Sequence, residues 1–189
     1  MCEMRVFNGD QNEDDDRQMP RRKMVMTLKE AVERSQGHIK QLEPTFGKRV
    51  ADWFSELLDK KIPVLIYCSV RTPQEQEELY AKGRTTPGPK VTNARGIPAQ
   101  SLHIGGHAID FVPLARTPTG EFVASWDDDK TYAICQKIAE KYNLRHLDWE
   151  TPHLEDGTIS GWRELVSPQK QEVKKEKISL VNKRPWSSR

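Results

Sequence analysis

Between Pro44 and Val70 the apolar residues change period once, and that change limits the folds open to the chain. Phe46, Val50, Trp53, Phe54, Leu57 and Leu58 recur at helical spacing and predict a helix from Pro44 to Lys60 with a single apolar stripe. Directly afterwards Val64-Leu-Ile-Tyr-Cys-Ser-Val70 is an apolar, β-branched run of the length of a buried strand. A striped helix followed at once by such a strand predicts helices packed on a sheet.

The neighbouring segments agree. Thr27-Leu-Lys-Glu30 is a capping-box pattern, with Leu28, Ala31 and Val32 following at helical spacing. Thr72-Pro73-Gln74-Glu75 has an N-cap, a proline at the first helical position and an acid at the third, predicting a helix to about Lys82. Residues 83–100 carry Gly83, Pro87, Gly88, Pro89, Gly96 and Pro98 and read as one long structured loop, a class that is often functional. A strand is expected over His107–Val112, a helix over Lys130–Lys141, and short strands near Leu144–Leu147 and His153–Glu155. Mixed in this order, the elements predict a small single α+β domain with a short sheet flanked by helices.

Charge collects at the ends. Residues 10–23 place an acidic run before a basic one, and residues 1–26 are read as a disordered leader. Residues 167–189 form a basic tail, with seven basic and two acidic residues after Ser167. The domain is therefore expected over 27–166. The tail is read as a solvated extension or as an electrostatic contact with an anionic envelope. The net charge of +2 singles out no partner; no nucleic acid and no second copy are expected. No apolar run reaches the roughly 20 residues a membrane-spanning helix needs, and no secretory signal is read at the N-terminus. The three cysteines, Cys2, Cys68 and Cys135, form no C-x-x-C pair, which points to a reducing compartment with Cys68 and Cys135 as small core residues.

Chemistry concentrates in Ser101-Leu-His103-Ile-Gly-Gly106-His107-Ala108-Ile-Asp110. His103 and His107 have the spacing of a helical zinc pair, but Gly105 and Gly106 between them each cost a helix about 1 kcal/mol. A strand from His107 is the better fit. It turns His107, Ile109 and Phe111 to one face and Ala108 and Asp110 to the other. His107 then reads as a packed or hydrogen-bonded residue, while the glycines supply a bend that brings His103 toward Asp110. Glu150-Thr-Pro-His153 offers a third ligand. Two imidazoles and one carboxylate suit a single tetrahedral Zn2+ with its fourth position open, although iron, cobalt or manganese accept the same donors. Glu150 would serve as general base and acid, provided a turn at Pro152 separates it from His153. His38 and His146 read as ordinary residues, Trp149 as packing or an aromatic wall, and Asp148 and Glu155 as outer partners of the histidines or exposed acids.

Ser-x-His-x-x-Gly-x-Ala-x-Asp followed by an acid three residues before a histidine resembles the zinc peptidases of family M15. Arg71-Thr-Pro-x-x-Gln76, Leu79-Tyr80, Gly83-Arg84 and Val91-Thr-Asn-Ala-Arg95 resemble the upstream region of its phage endolysin branch, so the likeness spans roughly residues 44–155. The resemblance implies a fold like the hedgehog and DD-peptidase domains, with His103, Asp110 and His153 as zinc ligands and Glu150 as catalytic base. It also implies Arg71 on a substrate carboxylate or the oxyanion, and Ser101 and Gln76 lining the cleft. The implied substrate is the peptidoglycan stem peptide, cut between L-Ala and D-Glu. The alternatives are a D-Ala-D-Ala carboxypeptidase or dipeptidase, and a non-catalytic zinc-containing cell-wall-binding module. A monomer is expected, cytoplasmic on synthesis and acting on the wall after release.

Overall fold

The computed structural model describes residues 25–166. Helix α1 spans Leu28–Ile39 and α2 spans Pro44–Asp59. Strand β1 (Val64–Cys68) and helix α3 (Pro73–Ala81) follow, and after a long loop come β2 (Ala108–Arg116) and β3 (Phe122–Ala124). The chain continues through α4 (Asp129–Glu140), β4 (Leu144–Leu147), β5 (Glu150–Asp156) and α5 (Trp162–Val166). This is the expected small domain of helices on an antiparallel sheet.

The caps do what their residues predict. Thr27 accepts from the Glu30 amide while Glu30 reaches back to the Thr27 amide, and Thr72 and Glu75 repeat the arrangement at α3. Both Thr–Glu pairs occupy orphan amides at a helix start. Glu43, with Pro44 behind it, caps α2 by accepting from the amides of Thr45 and Phe46 at 2.9 Å.

The sheet order is β1-β2-β5-β4, with β3 on the far end of β2. Ile109, Phe111, Leu154 and Ile66 are fully buried and pack with Phe46, Trp53 and Leu57 of α2 and Tyr132 of α4. Trp53 meets Phe111 edge-on at 5.2 Å and donates through Nε1 to the Cys135 carbonyl at 3.0 Å. Cys68 and Cys135 are buried, as their apolar neighbours suggested, but among the described residues only Cys135 is a free thiol; Cys68 is disulfide-bonded, against the reading of a reducing compartment. Met26, read as the end of the leader, is 5% exposed and exchanges two backbone hydrogen bonds with Phe122, so the packed domain takes it in. The rest of the leader, 1–24, and the tail, 167–189, lie outside the described residues.

Two glycines are required by the site's surroundings. Gly106 has φ +72°, at the turn that leads His103 into β2. Gly96 lies so close to the start of α3 that a Cβ there would fall 1.8 Å from the Pro73 carbonyl oxygen. That contact seats the 83–100 loop against α3, where Glu77 accepts from Arg95 and from the amides of Gly96 and Ile97. The Arg95 guanidinium and these amides hold the Glu77 carboxyl down at about 2.

Three features depart from expectation. β3 and α5 were not foreseen; they are three and five residues long, too short to establish a period. The expected turn between Glu150 and His153 is absent. Chain reversal occurs one step earlier, at Asp148–Trp149, and β5 runs extended from Glu150. What separates Glu150 from His153 is a register shift: His146 pairs with Leu154, but the next residue, Leu147, pairs with Glu150. Pro152 falls inside this bulge, where a strand tolerates a residue that cannot donate.

Candidate active site

Register brings the central residues together. Asp110 on β2 lies opposite His153 on β5 and opposite Cys68 on β1, and Ala108 lies opposite Glu155. Directly opposed residues in an antiparallel pair share a face with Cβ atoms about 5 Å apart. Asp110, His153 and Glu155 are therefore neighbours by alternation alone. His103 arrives from the preceding turn, which two bonds tie to the segment after β1: Arg71 N donates to the His103 carbonyl at 3.3 Å, and His103 Nδ1 donates to the Ser69 carbonyl at 2.6 Å.

That last bond fixes a tautomer. A carbonyl only accepts, so the proton sits on Nδ1 and the Nε2 lone pair of His103 points at Asp110 Oδ1, 3.3 Å away. His153 is held the opposite way round. Its Nε2 lies 3.2 Å from Glu155 Oε2 and donates there, while Nδ1 faces the same Asp110 Oδ1 at 3.1 Å. Both ring nitrogens thus face one carboxylate oxygen, which groups with His103 and Cys68 on one side and with His153 and Glu150 on the other. Both outer ring positions are occupied by acceptors, the usual support of metal-binding histidines. Zinc bonds of about 2.0–2.1 Å in a tetrahedron set donors about 3.3–3.4 Å apart. The observed 3.1 and 3.3 Å fit that spacing. All three residues are at most 6% exposed.

Burial opposes charge on Asp110, but His103, His153 and Arg71 outweigh it and hold its carboxyl far below the usual range. Burial likewise opposes protonation of His153, yet Asp110 and Glu155 lift it to about 9. A divalent cation held between these groups would take the place of the His153 proton.

Glu150 sits at the start of β5, exposed, with a carboxylate oxygen within 4.8 Å of the ligand atoms of Asp110 and His153. It makes no hydrogen bond among the described residues. Arg71 lines the cleft, but its guanidinium is engaged with Asp110 Oδ2 at 2.5 Å and Gln76 Oε1 at 3.1 Å. Ser101 also lines the cleft, and its Oγ accepts from the His103 amide at 3.3 Å. Gln76 does not reach the cleft surface. It is fully buried and bridges Arg71 to the Ala94 carbonyl, 2.9 Å from its Nε2.

Among the other candidates, His107 is hydrogen-bonded, Nδ1 to Asp156 Oδ2 at 3.0 Å, against the Phe46 ring. Glu155 is an outer partner of His153, whereas Asp148 is 93% exposed and only approaches His146, at 3.9 Å. His38 has a partner after all, Ser69 Oγ at 3.0 Å. Trp149, read first as packing, is 80% exposed. Sequence reasoning missed Ser69, whose part is played by its backbone carbonyl, and Arg145, which binds Glu155 through Nε at 2.8 Å and Nη2 at 2.5 Å. The first had no sequence signal. The second had one in strand alternation, since Arg145 lies opposite Glu155 across the β4–β5 hairpin.

The cleft above these groups has a volume of about 1020 Å3 and includes Lys90, Asn93, Arg145, Trp149 and Arg163 in its walls. Among the described residues no helix is long and apolar enough to cross a membrane.

No family model matches the chain. Over 53 residues, 28% of this chain, it is 49% identical to the peptidoglycan L-alanyl-D-glutamate endopeptidase CwlK of Bacillus subtilis (strain 168). The match spans 30% of that relative's length. Among solved structures, the L-Ala D-Glu endopeptidase ChiX of Serratia marcescens aligns with a TM-score of 0.48 at 17% identity, covering 71% of this chain and 91% of that one. The resemblance to L-alanyl-D-glutamate peptidases thus has a counterpart in a curated endopeptidase of that name.

Proposed function

We propose that the protein is a zinc-dependent endopeptidase that hydrolyses the bond between L-Ala and D-Glu in the stem peptide of bacterial peptidoglycan. One observation carries the metal part of this reading. His103 Nε2 and His153 Nδ1 lie 3.3 and 3.1 Å from the same Asp110 oxygen, distances that zinc ligands keep, with the outer ring nitrogens already occupied. The choice of bond rests on the similarity to the B. subtilis endopeptidase.

Zinc in this site supplies a Lewis acid that polarises the scissile carbonyl and lowers the pKa of a water. Glu150 is the one carboxylate near the site without a partner among the described residues. It takes the proton of the attacking water as the new C–O bond forms, and returns it to the amine as the C–N bond breaks. Arg71 keeps Asp110 ionised and oriented, and places a positive guanidinium at the cleft wall where negative charge develops on the carbonyl oxygen. Lys90 and Arg163 add positive charge to a cleft suited to the carboxylates of the stem peptide. We further propose that the chain acts on the wall after release from the cell, in the manner of a phage lysin.

Glu150→Gln tests the catalytic assignment. The variant is expected to bind zinc like the parent and to digest purified sacculi at least about 100-fold more slowly. Digestion at the parental rate removes Glu150 from the mechanism, and a zinc-bound parent that binds sacculi and releases nothing makes the domain a binding module.

A further inference from the structure

Trp149 takes no part in the chemistry above, yet its position places it next to that chemistry. It is the second residue of the two-residue turn between β4 and β5, directly before Glu150, and is 80% exposed. The indole is the largest side chain in proteins and is normally well buried. An indole standing in water at the rim of a cleft has its apolar face free for a ligand. Trp162, the first residue of α5, lines the same cleft, and so does Val91, itself 44% exposed. The same walls include Asn93, Gln100 and Ser160. Asn93 Oδ1 accepts from Arg84, Gln100 Oε1 from the Arg95 amide, and Ser160 Oγ donates to Glu164, which leaves the two amide NH2 groups and the hydroxyl lone pairs for a ligand.

The cleft is also larger than its proposed reaction demands. Its volume of about 1020 Å3 matches the upper end of sites for drug-sized ligands, far more than two small amino acids occupy. Under the reading proposed above, L-Ala carries on its amine the lactyl group of an N-acetylated sugar. That sugar lies about one extended residue, roughly 3.5 Å along the chain, beyond L-Ala. Trp149 is one residue from the proposed base, about 3.8 Å between Cα atoms. An aromatic face flanked by amide and hydroxyl groups is the chemistry a pyranose needs. The ring's C–H face packs on the indole, and its hydroxyl and acetamido groups take the hydrogen bonds.

We propose that Trp149 is a saccharide platform that binds the amino sugar attached to the stem peptide. The inference rests on the L-Ala–D-Glu reading and deepens it. The enzyme recognises a glycopeptide and discriminates against the same peptide without its sugar.

Two small probes test this by calorimetry on zinc-loaded Glu150→Gln protein, in which no turnover interferes: N-acetylmuramoyl-L-Ala-D-isoglutamine and L-Ala-D-isoglutamine. The sugar-bearing probe is expected to bind at least about 10-fold more tightly, near 1.4 kcal/mol. Adding Trp149→Ala should bring the ratio within about two-fold of one, and Trp149→Phe should retain most of it. The exposed turn position keeps both variants folded. Equal affinities before the second substitution, failure of both probes to bind, or a ratio that survives Trp149→Ala overturns the platform. So does an equal loss for both probes in Trp149→Ala, which would place the indole on the peptide. The bond cut is read separately from fragment masses. A parent that cleaves L-Ala–D-Glu without sugar preference refutes the platform alone, and one that prefers the sugar while cutting elsewhere refutes only the bond.

Discussion

His153 Nε2 donates to Glu155 at 3.2 Å, and Arg145 holds the other oxygen of that carboxylate at 2.8 and 2.5 Å. This chain of three residues keeps the Nδ1 lone pair of His153 turned toward Asp110 and raises its basicity. Burial works against the Glu155 charge, but His153 and Arg145 prevail and keep its pKa lowered. Replacing Glu155 with Gln, which still accepts a hydrogen bond but without charge, should weaken zinc binding about 10- to 100-fold in a chelator competition. Unchanged affinity would mean that His153 needs no such support. Gln76 acts at greater distance. Fully buried between Arg71 and the Ala94 carbonyl, it ties the cleft loop to the Arg71–Asp110 pair. Gln76→Leu takes the partner from Arg71 Nη1, whose Nη2 stays on Asp110, and from that carbonyl, and should cost about 1–3 kcal/mol in denaturant unfolding. A loss below about 0.5 kcal/mol would show that water or a rearranged loop satisfies both groups. That His103, Asp110, His153 and Glu150 would lie near one another was legible in the sequence because the proposed zinc chemistry restricts its donors to few residue types. The role of Ser69 was not, because a backbone carbonyl leaves no mark on residue identity.

At the scale of elements, β5 carries most of the site, and its far end is locked by Asp156. That carboxylate takes Arg49 Nη2 at 2.6 Å, His107 Nδ1 at 3.0 Å, and the amide and hydroxyl of Thr158. Burial again opposes the charge, and Arg49 and Thr158 lead the interactions that lower the pKa to about 2. The unfolded chain regains an ordinary carboxyl near 3.8, so it binds more protons than the folded one between those values. The stability from Asp156 is therefore full above about pH 4 and is lost as pH falls toward 2. Asp156→Asn should lower stability at pH 7 by about 3 kcal/mol and flatten the fall in melting temperature between pH 4 and 2. A variant whose acid limb parallels the parent's would place that limb elsewhere. Helices α1 to α4 were readable because each begins with a cap and runs for two turns or more. The start of β5 was misread because Pro152 signals a turn to local reasoning, whereas the bulge that accommodates it depends on the pairing of Leu147 with Glu150.

Across the whole molecule, the site joins three separate segments, 69–76, 101–110 and 150–155, each too short to hold its groups in place alone. The central strand β2, paired on both sides, makes their geometry a property of the core. The composition at the ends bears on where the domain acts. Residues 168–189 contain seven basic and two acidic residues. Their deletion should reduce co-sedimentation with sacculi at low ionic strength, with the difference vanishing near 1 M salt, where screening acts over about 3 Å. A difference that persists there would assign the tail a contact other than charge. In the function proposed above, these three segments form a zinc centre that cleaves L-Ala from D-Glu. That claim is tested most directly by mass spectrometry of purified peptidoglycan after incubation with the zinc-loaded protein. Fragments with a new D-Glu amino terminus and glycans whose lactyl groups carry only L-Ala are expected, both absent after chelation. Release of free D-Ala, or no fragments at all, would contradict it.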